Sequence, residues 1–287
     1  MARAKLLMVQ GTSSGSGKST IVTAFCRIFS DKGYRVAPFK AQNMSSNIYS
    51  LSNTSEKISL AQAIQATASR SNPDVRMNPI LLKPLGDYLS KIILRGRCQG
   101  EMHAREYYEK FILKKGFPLI LEDIDSLRRE NDIIVIEGAG SPAEINILKY
   151  DVANMLLAEK ICSPVVITSD IDRGGCFASI VGTIKLLKPL HRNLVKGFLL
   201  NKFRGDESLL YPALKSVESI TKKQILGIIP LLQFDLPPED SLDIKGLNQS
   251  KQEYQKELWD PHISILARAV EKSVDIQKIM NEIIGLT

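Results

Sequence analysis

From Gly11 to Thr20 the chain reads Gly11-Thr12-Ser13-Ser14-Gly15-Ser16-Gly17-Lys18-Ser19-Thr20, a run of small residues closed by Gly-Lys-Ser-Thr. Small residues let backbone N–H groups approach an anion, and a helix opening directly behind the loop adds partial positive charge. Lys18 is spaced to reach the β- and γ-phosphates of a nucleotide, and Ser19 to offer its hydroxyl to Mg²⁺. The run is one residue off the strict GxxxxGK[ST] pattern, because Thr12 holds the place of the first glycine and Gly11 lies one position further out. A Gly/Ser turn ahead of a helix is the alternative. An apolar strand before the loop and an amphipathic helix after it favour the phosphate loop.

Four further places carry residues able to work on a phosphate or a carboxylate. Glu137 ends the apolar run Asp132-Ile-Ile-Val-Ile-Glu137 just before a Gly-Ala-Gly turn. A carboxylate at the C-terminal end of a strand lies beside the phosphate loop in an open parallel sheet, where it completes a metal shell or orients a bound water. The other reading is a solvated loop glutamate. Lys40, in Pro38-Phe39-Lys40-Ala41-Gln42-Asn43-Met44, follows a second strand. It is either a surface lysine or a second ammonium that stabilises charge spreading over a transferring phosphoryl group. Asp170-Ile-Asp172-Arg173-Gly-Gly follows a third strand, and its acids and arginine suit metal and phosphate as well as they suit one another on the surface. Asn201-Lys202 ends a fourth strand and is similar to the Asn-Lys of other phosphate-loop proteins, where the amide reads a purine. His103, His191 and His262 are scattered without an HExxH motif, and the G-x-S-x-G elbow of Ser/His/Asp hydrolases is absent.

The elements that must position these residues are legible as alternating periods. Lys5–Gln10 and Tyr34–Phe39 read as strands, as do 133–136, 164–168, 195–200 and 225–229. The segment 18–30 reads as a helix with Ile21, Phe25, Ile28 and Phe29 on one face, stopped by Asp31-Lys32-Gly33. Continuous Ile/Val/Leu runs suit parallel strands covered on both faces, and repeated strand–helix units predict a doubly wound, mostly parallel α/β sheet. Residues 40–130 exceed one crossover, so an insertion there is expected to shape a substrate site. After Pro237-Pro238 the chain turns polar through Lys256, and Pro261 is expected to start a last helix with Ile265, Leu266, Ala269, Val270 and Ile276 on one stripe. The division is an ATP-binding unit over 1–242 and a polar linker with a docked helix over 243–287.

Composition narrows the class. A net charge of +7 suits anionic partners. No run of five basic residues and no basic–aromatic interleaving supports nucleic acid, so polyanionic small molecules fit better. No stretch approaches the roughly 18 apolar residues of a membrane span, and a cytoplasmic location is expected. Cys26, Cys98, Cys162 and Cys176 are too far apart for a zinc or disulfide pattern, and Cys26 and Cys162 read as small core residues.

Read together, VQGTSSGSGKST, PFKAQNM, AQAIQA, MNPILLKP, AREYYE, VIEGAGSPAEIN, SDIDRGGCFASIVGTI, KGFLLNKFRGD and LPPEDSL resemble the synthetase half of the cobyric acid synthases, from about residue 6 to residue 242. The resemblance implies the dethiobiotin-synthetase-like branch of P-loop NTPases. It implies amidation of peripheral carboxylates of adenosylcobyrinic acid a,c-diamide with ATP, Mg²⁺ and ammonia. By the same resemblance Gly11 to Thr20 hold the phosphates, Ser19 and Glu137 the metal, and Asn201 and Lys202 the adenine, while Lys18 and Lys40 serve the transfer. Gln42, Asn43, Gln62, Gln65, Asp172 and Arg173 fall on the corrinoid side. Ser90-Lys91 departs from an expected Ser-Gln pair, and the G-x-C-x-G elbow of a glutamine amidotransferase is absent. Ammonia would come from a separate glutaminase subunit or from solution, and a homodimer is one assembly open to the chain. The alternatives are a cobyrinic acid a,c-diamide synthase, a dethiobiotin synthetase, or a partition-type ATPase, whose extra loop lysine is replaced here by Ser13.

Overall fold

The computed structural model describes residues 3–51, 54–232 and 249–286, with side chains in the last stretch from residue 257 onward. Pro237-Pro238, the LPPEDSL block and the start of the expected polar linker lie outside these residues. Along the described chain run the strands β1 (Lys5–Gly11), β2 (Val36–Phe39), β3 (Gln42–Met44), β4 (Ile48–Ser50), β5 (Lys57–Ser59), β6 (Ile80–Gly86), β7 (Leu89–Leu94), β8 (Arg97–His103), β9 (Ile133–Glu137), β10 (Val165–Asp170), β11 (Val195–Phe203) and β12 (Gln224–Pro230). The second expected strand begins at Val36 instead of Tyr34.

Six of these form a parallel sheet in the order β12-β11-β10-β1-β9-β2. Its central strands are buried on both faces, and alternate residues feed two cores. Leu6, Met8, Ile134, Ile136, Val165 and Ile167 face one core, with Ile120, Ile124, Ile180 and Ile184 from helices Phe117–Glu130 and Cys176–Leu186. Leu7, Val9, Ile133, Val135 and Val166 face the other, covered by α1 (Lys18–Asp31), α2 (Leu60–Ala68) and the helix Gln249–Ser273. Chain order reverses around β1, so crossovers leave in opposite directions from its two sides. That opens a crevice at the C-terminal ends of β9, β1 and β10.

The 40–130 insertion folds into a second sheet, β3-β6-β7-β8, and the antiparallel pair β4–β5. The last helix departs from expectation. It begins at Gln249 and runs through Pro261, which lies inside it. Proline in a helix costs about 3 kcal/mol. Burial of Trp259, Ile263, Leu266 and Val270 against the core, at roughly 1.5–3 kcal/mol per large side chain, outweighs that cost. Leu266, Val270 and Ile276 are buried as expected, with Ile263 and Ala267 beside them, whereas Ile265 is 51% exposed and Ala269 half-buried. Arg27 of α1 pairs with Asp260 on this helix. Cys162 also departs from the reading of a core residue: it is exposed, in a left-handed conformation at the end of helix Met155–Ile161.

Candidate active site

β1 leaves the sheet at Gly11, and the loop to α1 is tied down on both limbs. On the ascending limb Thr12 N–H donates to the Thr168 carbonyl at 3.0 Å, and the Thr12 and Ser169 hydroxyls are 2.9 Å apart. On the descending limb Asn201 Nδ2 donates to the Ser16 carbonyl at 3.0 Å, and Lys202 Nζ to the Gly15 carbonyl at 2.8 Å. A Cβ on Gly11 would stand 2.1 Å from Ser16 Oγ, and one on Gly17, at φ 97°, 1.9 Å from Asn201 Nδ2. The loop thus requires glycine at 11, while Thr12 puts a hydroxyl on the next strand. That is the physical content of the one-residue offset from the strict motif. Lys18 Nζ spans the mouth, donating to the carbonyls of Ser13 and Gly140, each at 3.0 Å.

Glu137, at the end of β9, is fully buried beside the first turn of α1. Its Oε1 accepts from Ser19 Oγ at 2.8 Å and from Lys40 Nζ at 2.7 Å, and its Oε2 accepts from Gln65 Nε2. Lys40 is itself only 3% exposed. Two buried charges are retained at a desolvation cost of several kcal/mol each unless paired and hydrogen-bonded, as these are. Neither surface alternative, the solvated glutamate or the surface lysine, describes these two residues. Ser19 and Glu137, the expected metal ligands, are in direct contact. Their donor set, one hydroxyl and one carboxylate beside a phosphate loop, fits Mg²⁺, which takes few protein oxygens and completes its shell with water and phosphate. Among the described residues no group of three or more His, Cys, Asp or Glu forms a metal cage.

The residues expected on the substrate side divide. Gln42 and Met44 line a cavity of about 270 Å³ together with Ser14, Tyr108, Gly140, Glu144, Tyr150, Asp151 and Asn154. The Tyr107 hydroxyl donates to Gln42 Oε1 at 2.7 Å, and the Tyr108 and Tyr150 rings are 5.5 Å apart. Asn43, Gln62 and Gln65 do not line this cavity. They are buried and bonded in series: Asn43 Nδ2 to Gln62 Oε1 at 3.1 Å, Gln62 Nε2 to Gln65 Oε1 at 3.3 Å, and Gln65 to Glu137. Strand alternation explains the split, since Gln42 and Met44 share one face of β3 and Asn43 takes the other. Asp172 is held by Arg204 in a two-pronged pair at 2.6 and 2.8 Å on the surface. Arg173 lies over the loop, with Nη2 3.6 Å from where a Gly15 Cβ would be, and its Nε is 3.6 Å from Asp170. Asn201, expected at a purine, is buried with its amide on the loop; Lys202 also pairs with Asp170 at 2.7 Å.

The sequence reading missed Tyr108, Tyr150, Glu144 and Asp151. Asp151 is a half-buried acid in the cavity wall; desolvation raises its pKa to about 6, against the lowering effect of the Asn154 amide at 2.9 Å. The paired tyrosines of Arg105-Glu106-Tyr107-Tyr108 were the available signal. Residues 107–116 form a wide π-helical segment, a form enriched at functional sites. His191 is a structural residue, buried on Glu159 at 2.7 Å.

Residues 7–235 match the CobQ/CobB/MinD/ParA nucleotide binding domain. The cobyric acid synthase of Trichormus variabilis is 51% identical over 84% of this chain and 48% of its own length. That of Desulfitobacterium hafniense is 47% identical over 87% and 48%, and the probable cobyric acid synthase of Thermococcus kodakarensis 48% identical over 91% and 52%. The chain spans about half the length of these curated relatives. No helix among the described residues is long and apolar enough to cross a membrane. A loop closed by Gly-Lys-Ser-Thr at the reversal point of a parallel sheet, with a strand-end carboxylate on its serine, agrees with the sequence match: the chain belongs to the CobQ/CobB/MinD/ParA nucleotide-binding domain family.

Proposed function

We propose that this chain performs the ATP-dependent amidation of peripheral carboxylates of a corrinoid acid, adenosylcobyrinic acid a,c-diamide, giving adenosylcobyric acid. The observation that carries the reading is Glu137, with Ser19 and Lys40 on one oxygen, next to a cavity bounded by the phosphate loop through Ser14 and by the turn after β9 through Gly140. The names of the relatives supply the substrate class.

In this reading the loop amides and Lys18 bind the triphosphate of ATP, and Arg173 stands where it can close over them. Ser19 and Glu137 would hold Mg²⁺, which when bound neutralises phosphate charge. A substrate carboxylate oxygen bonds to the γ-phosphorus while the bond from that phosphorus to the β-bridging oxygen breaks, leaving ADP and an acyl phosphate. Ammonia then attacks the acyl carbon, phosphate leaves, and the nitrogen loses a proton to give the amide. Lys40 keeps Glu137 charged in a dry site, where electrostatic effects on transfer are strongest. Gln42, Tyr108 and Tyr150 present polar and aromatic surface to the corrinoid. Ammonia comes from a glutaminase subunit or from solution.

The test is incubation with the corrinoid acid, Mg·ATP and ammonium, repeated with glutamine in place of ammonium. Stepwise mass changes of acid to amide, with one ADP per step, are expected with ammonium. Absence of both ADP and mass change would overturn the proposal.

A further inference from the structure

The buried amides Asn43, Gln62 and Gln65 have no part in the steps above, yet they form a continuous chain into the site. Its direction is fixed chemically. An ionised carboxylate only accepts, so Gln65 must present its NH₂ group to Glu137 Oε2 and its carbonyl to Gln62. Gln62 must then present its carbonyl to Asn43, whose Nδ2 also donates to Ser59 Oγ at 2.7 Å. Ser59 N–H in turn donates to Asn78 Oδ1 at 3.2 Å, and Asn78 Nδ2 to the Lys40 carbonyl at 3.1 Å. The network therefore runs from Glu137 back to the backbone of the lysine that neutralises it.

From this geometry we infer that Gln65, backed by Gln62 and Asn43, is a positioning residue for Glu137. It occupies Oε2 and fixes the carboxylate plane, so that Oε1 faces Ser19 and Lys40. Three polar side chains buried together are costly unless satisfied, and this relay satisfies them through one another. Partners that orient a metal-binding carboxylate typically govern metal affinity by 10–100-fold when lost. Asn43 stands between Gln42 and Met44, which line the cavity, so the relay joins the substrate wall to the carboxylate. The inference rests on the nucleotide–Mg²⁺ reading of the site and assigns these three residues away from substrate contact.

The experiment is a Mg²⁺ titration of the binding of a fluorescent, slowly hydrolysed ATP analogue, on wild type, Gln65→Met and Gln62→Met, with EDTA controls and melting curves. Both substitutions keep length and remove the amide. Gln65→Met is expected to raise the Mg²⁺ concentration at half-saturation about tenfold, with EDTA-state binding unchanged. Gln62→Met should shift it less, in the same direction. Mg²⁺ dependence within twofold of wild type in a Gln65→Met protein of unchanged melting temperature would overturn the inference. Should Gln65→Met fail to fold, Gln62→Met decides by the same criterion. A wild-type chain that binds no analogue would instead remove the nucleotide reading, and this inference with it.

Discussion

Two strand ends flank the phosphate loop, and each carries acids, but they have opposite fates. Glu137 at the end of β9 is sealed under α1 and α2, with Lys40, Ser19 and Gln65 on its two oxygens. Beyond β10, Asp172 pairs with an exposed Arg204, and Arg173 is mostly in water. The sequence logic was the same at both: a buried strand, a carboxylate, then glycines. What separates them is cover. The insertion lays α2 and its glutamines over the end of β9, so Glu137 loses its water and must be satisfied by protein. Beyond the end of β10 there is no such lid: Asp170, the last residue of the strand, is still buried and paired with Lys202, whereas Asp172 is satisfied cheaply by a surface cation. A buried, fully paired carboxylate at this strand end is therefore a product of the insertion as much as of the sheet.

The largest test of that contrast is Glu137→Gln. Removing the charge breaks the buried pair with Lys40 and the contact between Ser19 and the carboxylate. Phosphoryl transfer is expected to fall at least 100-fold, the scale of losing one preorganised electrostatic contact, as read by ADP release. Turnover within fivefold of wild type would erase the distinction between the two strand ends. Lys40→Ala tests the other half of the pair. Breaking a buried pair by removing one partner costs about 3–5 kcal/mol, so denaturant unfolding should register a loss of that size. Turnover should drop more than nucleotide affinity does.

Asp151 sharpens the comparison, because it is a half-buried acid in the cavity wall with no cation paired to it among the described residues. Burial raises its pKa from 3.8 to about 6. Between those values the native state binds more protons than the unfolded chain, so stability is fully present below about pH 4 and falls as pH rises through about 6. The shift corresponds to roughly 3 kcal/mol. Asp151→Asn should flatten that part of the stability–pH curve and raise the melting temperature above pH 6; an unchanged slope would show that Asp151 is not the titrating group. The smallest effect is expected at the exposed pair. Arg204→Ala should change stability by under about 1 kcal/mol and leave Mg²⁺-dependent nucleotide binding intact, measured by the same unfolding and titration experiments. A large loss there would mean that Asp172 and Arg204 belong to the site.

Much of the frame could be read in advance. The strands β1, β9, β10, β11 and β12 announce themselves as Ile/Val/Leu runs because parallel strands are apolar on both faces. Gly17, Lys18 and Ser19 were recognisable because their spacing is dictated by a phosphate and by the turn into α1. Less could be read where partners come from distant segments. Asn43, Gln62 and Gln65 look like substrate amides in a linear sequence, since nothing local tells a polar side chain whether it faces a cavity or another amide. The sequence places the last helix too late because Pro261 reads as a helix start by local rules, whereas Trp259 and Ile263 on either side of it are buried in one core. Cys162 looked apolar by its neighbours, yet its left-handed position at a helix end turns it outward.

By itself, the sequence determined the parallel α/β frame, the phosphate loop and the acid at the end of β9, because each follows from short-range periodicity or from motif spacing set by a small ligand. Tertiary structure alone decided that Lys40 neutralises Glu137, that three amides line up behind it, and that Asp172 beyond β10 stays in solvent. Those outcomes depend on which elements cover a strand end, and cover sets whether a charge meets water or another side chain. Burial of that kind is a property of packed layers and cannot be written in any one segment.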